Sequence, residues 1–424
     1  MSGQDVVVTG MALVAPMAMD AESLFARLAD GQSSLRRHPR FEQLGFANPA
    51  AGYLDDGQWQ RIDAAVPAAR HLPAQSRLVE YLADQVLEDA GLTRQAFART
   101  ASGLFLGCNK FCASGSELQA LSRCMDEQAC VDLDALLDDA DAHEPAFARR
   151  VDQQTAHLAA LLQVRERVAT LADACAAGTT AIGSAYRTIA RGEIDLALCG
   201  ASELMATQIS CYSFNGLGAL CPRGDWPAAT QSRPFMKDRC GFVMSEGAAL
   251  LVLESADHAR RRQARVRGRV LGYANACEAQ KITSSSRDGS RYAQCMQAAI
   301  DDAGVPLASI GHVNVHGTST PSNDSCEALA LERVFGAALG QVSITASKSA
   351  LGHSLAASGA LEAVLTLMSI ERGIVLPTLN YQAEGSEFPH LDVVTHVRHQ
   401  AIDHALSTSF GFGGINSSLV LGRA

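Results

Sequence analysis

The chain has 424 residues, 47% hydrophobic and 19% charged, with a formal net charge of −10. That length exceeds one small core and suits two packed halves, and the composition excludes a disordered chain. The acidic balance argues against nucleic acid or an anionic membrane surface as a partner, while leaving room for a local basic patch.

The first predicted element is a buried strand, Val6-Val7-Val8, ending at Gly10. Residues 20–73 read as loop with short helices, the first over Ala21 to Ala29. Pro73 to Ala90 is predicted helical, with Gly91 as its stop. A buried strand follows at Gly103 to Gly107, and an acidic, solvated helix face is expected over Asp132 to Glu144. A helix is predicted from Cys175 to Arg191-Gly192, then a strand over Asp195 to Gly200. Residues 207–241 read as loop, and Ala248 to Glu254 as strand.

The second half repeats the alternation. Strands are predicted at Val266 to Ala274, Val313 to His316, Ser343 to Thr345 and Ser417 to Leu421. Helices are predicted at Arg291 to Ala303, Asp324 to Phe335 and Leu355 to Arg372. Such alternation argues for α/β with mostly buried sheets. There is also an internal echo. Ala176-Ala177-Gly178 and Ala357-Ser358-Gly359 each open an alanine-rich helix that ends in Arg-Gly. Two copies with paired central helices would explain it; so would two ordinary helices.

The 12 cysteines are scattered, with Cys108 and Cys112 the closest pair and no C-x-x-C. That is neither a disulfide framework nor a zinc pattern, and it fits a reducing cytosol. The N-terminus lacks the basic start and apolar run of a signal peptide, and no apolar run is long enough to span a bilayer.

Four stretches carry candidate chemistry. In Asp173-Ala174-Cys175-Ala176-Ala177-Gly178, a cysteine stands among small residues at the start of a helix. It reads as a nucleophile on a tight strand-to-helix turn, where a helix N-terminus favours the thiolate, or equally as buried structural cysteine. In His316-Gly317-Thr318-Ser319-Thr320, a histidine at a strand end could face a cleft, although a lone histidine there is more often structural. In Lys348-Ser349-Ala350-Leu351-Gly352-His353, a second histidine precedes a helix carrying Glu362, a plausible partner for a buried Lys348. Ser409-Phe410-Gly411-Phe412-Gly413-Gly414 allows unusual backbone angles, or is a plain glycine turn. A metal centre or a Cys-His hydrolase fits poorly. Zinc wants more ligands at tighter spacing, and a hydrolase leaves one histidine unexplained.

Together these stretches resemble the elongating (type I/II) β-ketoacyl-acyl-carrier-protein synthases of the thiolase superfamily. Arg233-Pro234-Phe235-Met236-Lys237-Asp238-Arg239-Cys240-Gly241-Phe242-Val243 is similar to the family's Arg-Pro-Phe-Asp…Arg-Asp-Gly-Phe-Val segment. A pair of histidines resembles the elongating class, and Cys175 argues against an inactive chain-length-factor subunit.

The resemblance implies a thiolase-like five-layer αβαβα fold of two similar halves. Residues 1–260 would carry the nucleophile and 261–424 both histidines. It implies a decarboxylative Claisen condensation: Cys175 takes the acyl group, and His316 and His353 stabilise the enolate of a malonyl extender. Lys348 and Glu362 would tune the field. Cys175 and Phe410 would supply the oxyanion hole, with Phe410 also the gate. Thr318 and Thr320 would contact the pantetheine arm. Lys110 and Phe111 would shape the acyl pocket, where they depart from the family's small residues, and Met244-Ser245-Glu246-Gly247 departs from its usual small-Gly-Glu-Gly. Arg223 would meet an acidic acyl carrier protein, with Arg70, Arg149 and Arg150 as further candidates. No cofactor or metal is implied. A cytoplasmic homodimer or ketosynthase heterodimer is expected, in fatty acid or specialised polyketide synthesis. The alternatives are a malonyl decarboxylase or a carrier-binding partner subunit.

Overall fold

The computed structural model describes residues 4–69, 72–109, 115–128, 130–139, 142, 150–279 and 285–424. Its frame is one ten-stranded mixed sheet. In chain order the strands are β1 (Val6–Val14), β2 (Ser102–Gly107), β3 (Arg167–Leu171), β4 (Leu196–Leu204), β5 (Glu246–Ser255), β6 (Gly268–Cys277), β7 (Ile310–Asn314), β8 (Ser343–Thr345), β9 (His404–Gly411) and β10 (Ile415–Gly422). Across the sheet the order is β8-β7-β9-β10-β6-β1-β5-β4-β2-β3.

That order is its own mirror about the antiparallel β6–β1 pair. Outward from the centre, β1-β5-β4-β2-β3 answers β6-β10-β9-β7-β8. The pairings correspond too: two antiparallel steps, then two parallel ones, in each half. β1 and β5 are buried at every position, as their near-continuous apolar runs require of strands covered on both faces.

Six helices complete the layers: α1 (Ala74–Asp89), α2 (Gln153–Leu161), α3 (Ala177–Ala190), α4 (Ser290–Ala303), α5 (Pro321–Phe335) and α6 (Ser358–Arg372). α1 lies on β1 and β5, and α2 on β2 and β3. α4 lies on β6 and β10 and packs against α5. Between the halves run α3 and α6, each touching strands of both. Helix, half-sheet, helix pair, half-sheet, helix makes five layers, the two halves of the one sheet lying on either side of α3 and α6, with apolar clusters filling the gaps.

The central helices touch where their side chains vanish. A Cβ on Gly178 would sit 2.7 Å from the Ala356 carbonyl oxygen and 2.8 Å from the Ala360 nitrogen. One on Gly359 would sit 2.9 Å from the Thr179 nitrogen. The echo in the sequence is therefore a contact, and each glycine is required by the other helix's backbone. The 3-10 turns before these helices, Ala174–Ala176 and Leu355–Ala357, also correspond. Each begins on a non-glycine residue with positive φ, 49° at Ala174 and 45° at Leu355, a conformation held by its surroundings at some cost.

Several boundaries move. The helix expected from Asp324 starts at Pro321, whose fixed φ suits a first helical position. The acidic stretch contributes a short helix, Leu133–Asp138, capped by Asp132. The 207–241 loop contains a helix, Gln208–Gly216. β9 was not expected at all. Its Ser407-Thr408-Ser409 core reads as loop, yet Thr408 bonds Glu327 and Ser409 bonds Thr179 in the interior.

Candidate active site

Cys175 occupies the turn between β3 and α3, buried at 2% exposure. Asn109 braces that turn. Its Nδ2 donates to the Ala174 carbonyl at 3.0 Å, while its backbone N–H donates to buried Glu203 at 3.2 Å.

His316 lies two residues past β7. Its backbone N–H and that of Gly317 donate to the two oxygens of Glu327 on α5, at 2.7 and 2.8 Å, and Thr408 donates to the same carboxylate at 2.9 Å. Nothing in the sequence pattern singles out Glu327. Burial pushes its carboxyl up to about 7 against the pull of those N–H donors.

His353 comes from the same half as His316, just ahead of the turn that opens α6. Its backbone is clamped between the Val243 carbonyl at 2.8 Å and the Ser245 N–H at 2.9 Å. Its ring Nε2 stands 3.2 Å from the Cys175 sulfur, and its Nδ1 lies 3.0 Å from the Ser358 hydroxyl. The two imidazoles meet edge to face, with centroids 5.2 Å apart. One ring nitrogen of each histidine and the Cys175 sulfur all lie within 4.8 Å of one another.

Lys348 and Glu362 are paired at 2.6 Å, both 2% exposed. Burial and then the Lys348 charge hold both imidazoles well below the usual histidine range, so both are neutral at pH 7. Glu362 is pushed up to about 7 by burial, with Lys348 pulling the other way.

The thiol behaves differently from the expectation of a helix-stabilised thiolate. Burial pushes Cys175 up to about 11, outweighing the Phe412 backbone N–H and the Lys348 charge that favour the anion. Attack therefore needs a proton acceptor, and His353 is within reach.

Among the described residues, Cys175, His316 and His353 are also the one His/Cys/Asp/Glu group close enough to hold a metal ion. Their spread of up to 4.8 Å exceeds the roughly 3.5 Å between ligands at zinc bond lengths. The gap suits a substrate oxygen better.

Thr318 and Thr320 face the same cleft, their hydroxyls 2.9 Å apart. Their loop is pinned by the Arg233–Val243 segment: Arg233 N–H donates to the Ser319 hydroxyl, Phe235 N–H donates to Asp324, and buried Arg239 pairs with Asp324 at 3.6 Å.

Residues 3–259 match the Beta-ketoacyl synthase, N-terminal domain, and residues 267–382 the Beta-ketoacyl synthase, C-terminal domain. The chain belongs to the β-ketoacyl synthase family. It is 33% identical to 3-oxoacyl-[acyl-carrier-protein] synthase 2 of Vibrio cholerae serotype O1 over 432 residues, covering 100% of both chains. It is 33% identical to the protein of that name from Rhizobium meliloti, over 99% of this chain and 98% of the relative. Among solved structures, a type II polyketide ketosynthase in complex with its acyl-carrier protein superposes with a TM-score of 0.86 at 27% identity, covering 100% of each chain. A β-ketoacyl synthase from Burkholderia phymatum gives 0.86 at 28%, covering 99% and 100%. The thiolase-like fold follows.

Within this family frame, one assignment shifts by two residues. Phe410 lies inside β9, opposite Asn416, with its ring flat on Tyr292 at 3.6 Å. The N–H that serves the Cys175 sulfur is that of Phe412, in the glycine turn after the strand. Phe412 is half-buried, lines the cleft, and stacks on Phe214 at 6.2 Å. The alternation Phe-Gly-Phe-Gly gives no sequence signal to separate the two. Arg223 is exposed, paired with Asp225 at 2.7 Å and lying 4.3 Å over Trp226. Arg150 is exposed and pairs with Asp152. Lys110, Phe111, Arg70 and Arg149 lie outside the described residues.

Proposed function

We propose that the chain is a 3-oxoacyl-[acyl-carrier-protein] synthase that condenses an acyl group held on Cys175 with a malonyl extender. One observation carries the reading: a buried thiol 3.2 Å from the Nε2 of a neutral histidine, with a second neutral histidine beside it.

In the first half-reaction the Cys175 sulfur attacks the incoming thioester carbon while its proton passes to His353 Nε2. The carbonyl oxygen gains negative charge and is met by the backbone N–H groups of Cys175 and Phe412, a hole worth about 3–4 kcal/mol per donor. The tetrahedral intermediate expels the carrier thiolate, which takes the proton back from His353.

In the second half-reaction the extender's carboxylate leaves as CO2, and its electron pair moves onto the thioester oxygen. His316 and His353 donate to that oxygen. Buried Lys348 adds a positive field, and Glu362 holds it in place. The enolate carbon then attacks the acyl-Cys175 carbonyl, and the sulfur leaves. Ser358, 3.0 Å from His353 Nδ1, suits both tasks of the ring. Its oxygen accepts an Nδ1 hydrogen while bare Nε2 takes the thiol proton; with its own hydrogen turned to Nδ1, the ring hydrogen sits on Nε2 for the extender, so the ring changes tautomer between the half-reactions.

Thr318 and Thr320 would contact the pantetheine arm, Phe412 would gate the extender side, and Arg223 would help seat the carrier. The division at 260/261 places the nucleophile and the histidines in separate halves. β3 ends the sheet with Val168 exposed, an edge that favours a homodimer or a ketosynthase heterodimer. Among the described residues no helix is long and apolar enough to cross a membrane.

Intact-mass spectrometry after incubation with a panel of acyl-carrier proteins tests the proposal. The expected result is an acyl adduct on Cys175, lost in Cys175→Ala. His316→Ala and His353→Ala should block malonyl decarboxylation while retaining some acyl transfer. A Cys175 that no carrier acylates would leave a decarboxylase or a partner subunit.

A further inference from the structure

Two cysteines outside the catalytic group face each other beside the cleft. Cys221 and Cys240 have their sulfurs 3.2 Å apart, inside the contact distance of two sulfur atoms and outside a bond. The backbone enforces this approach. The two segments run side by side at a parallel bridge, Leu220 against Phe242, with Cys221 N–H donating to the Phe242 carbonyl and Phe242 N–H to the Ala219 carbonyl, both at 3.0 Å. Gly241, at φ +145°, leaves no space for a Cβ, which would meet the Cys221 nitrogen at 2.5 Å. Asn48 Nδ2 donates to the Cys221 carbonyl at 2.7 Å, fixing the other side. Neither segment can draw back from the other.

We propose that Cys221 and Cys240 form a reversible disulfide under hydrogen peroxide, a modification site that adjoins the catalytic cleft. Cys240 is partly exposed and meets the oxidant; Cys221 is buried behind it. The Cys240 sulfur attacks peroxide: an S–O bond forms, the O–O bond breaks, and water leaves. The Cys221 sulfur then attacks the Cys240 sulfur: the S–S bond forms, the S–O bond breaks, and hydroxide leaves with the remaining thiol proton as a second water. Two thiols and one peroxide give one disulfide and two waters, with both sulfurs oxidised and the peroxide oxygens reduced. The hydrogen bond between the two thiols lowers Cys221 and raises Cys240, and the Arg233 and Arg223 guanidinium groups favour the anion on either sulfur. The pair shares one thiolate, and passing its hydrogen to Cys221 puts the negative charge on the accessible Cys240 sulfur for the attack. Cys175, pushed up to about 11, reacts more slowly.

Bond formation closes the sulfurs from 3.2 Å to about 2 Å. The segment that must move carries Phe242, whose ring stands edge-on to His353 at 5.2 Å, and Val243, whose carbonyl holds the His353 N–H. Closure thus shifts the wall and the backbone support of the catalytic histidine.

The test uses the full chain with hydrogen peroxide, followed by alkylation of remaining thiols and peptide mass spectrometry. The expected result is a Cys221–Cys240 linked peptide, formed before Cys175 is modified, reversed by dithiothreitol and absent in Cys240→Ser and Cys221→Ser. Oxidation of exposed Cys130 and Cys277 without that link would overturn the proposal. Iodoacetamide labelling of Cys175, which needs no substrate, reads the coupling to the site. It should change at least threefold in the linked form, and an unchanged rate in fully linked protein would refute the coupling. Both readouts are independent of whether any carrier acylates Cys175.

Discussion

Replacing Lys348 by Met separates the electrostatic role of this residue from its structural one. Lys348 and Glu362 meet at 2.6 Å, each 2% exposed. Removing one member of such a pair strands the other charge, at a cost of about 3–5 kcal/mol, whereas replacing both by neutral groups is close to neutral. Burial already lifts Glu362 to about 7, and Lys348 is what restrains it. Without Lys348 the carboxyl moves further up and binds a proton around neutrality. A carboxyl raised in the folded state contributes stability that is full below its unfolded value and lost as pH rises through the folded one. The stability deficit of Lys348→Met should therefore be small near pH 5 and widen from about pH 7 to 9. Lys348→Met with Glu362→Gln should recover most of the stability and show no such widening. Extender decarboxylation should fall roughly 10²-fold in both variants, the scale of one lost electrostatic contact to a developing oxyanion. Chemical denaturation across pH, paired with release of CO2 from malonyl-carrier protein, reads the two effects apart. A double variant that decarboxylates like the wild type would refute a role for the charge. A single variant no less stable than the double would refute the pairing.

Iodoacetamide labelling of Cys175 in the reduced enzyme should rise about tenfold per pH unit between 7 and 10, since only the thiolate reacts and burial places the thiol at about 11. A plateau below pH 8 would show a stable thiolate instead. Gly359→Ala forces a methyl group against Thr179 on the facing helix, and overpacking of this kind costs about 1–3 kcal/mol. Its thermal midpoint should drop by several degrees; an unchanged midpoint would mean that the central helices separate more easily than their contact implies.

Much of the site was legible because its chemistry requires rare residue types at turns. Cys175, His316 and His353 each stand beside glycine or alanine where a strand gives way to a helix, and those small neighbours mark close backbone approach. The Lys348–Glu362 pair was legible because a lysine in an apolar stretch needs a counter-charge. Glu327 was not, because it holds the backbone N–H groups of His316 and Gly317, and a carboxylate that serves backbone leaves no partner side chain to mark it in the sequence. β9 was hidden for a related reason. Its hydroxyls pair inward across 230 residues, from Ser409 to Thr179, and 81 residues, from Thr408 to Glu327, so the strand lacks the apolar run that advertises a buried one. Phe410 and Phe412 could be told apart only by which one is still paired in the sheet.

The two halves also show what makes a strained turn into a catalytic one. Leu355–Ala357 repeats the geometry of Ala174–Ala176, down to the positive φ of its first residue. At the position of Cys175 it carries Ala356, whose carbonyl oxygen touches the Gly178 position on the opposite helix. The strained turn alone therefore confers no reactivity. The second copy serves by packing against the first, with His353 just ahead of it and Ser358 just after it holding the imidazole on the Cys175 sulfur. A duplicated turn has become a nucleophile in one half and the mount of its proton acceptor in the other. A substitution that loosens the contact between the two turns should thus slow acylation of Cys175 even though it touches none of the reacting atoms.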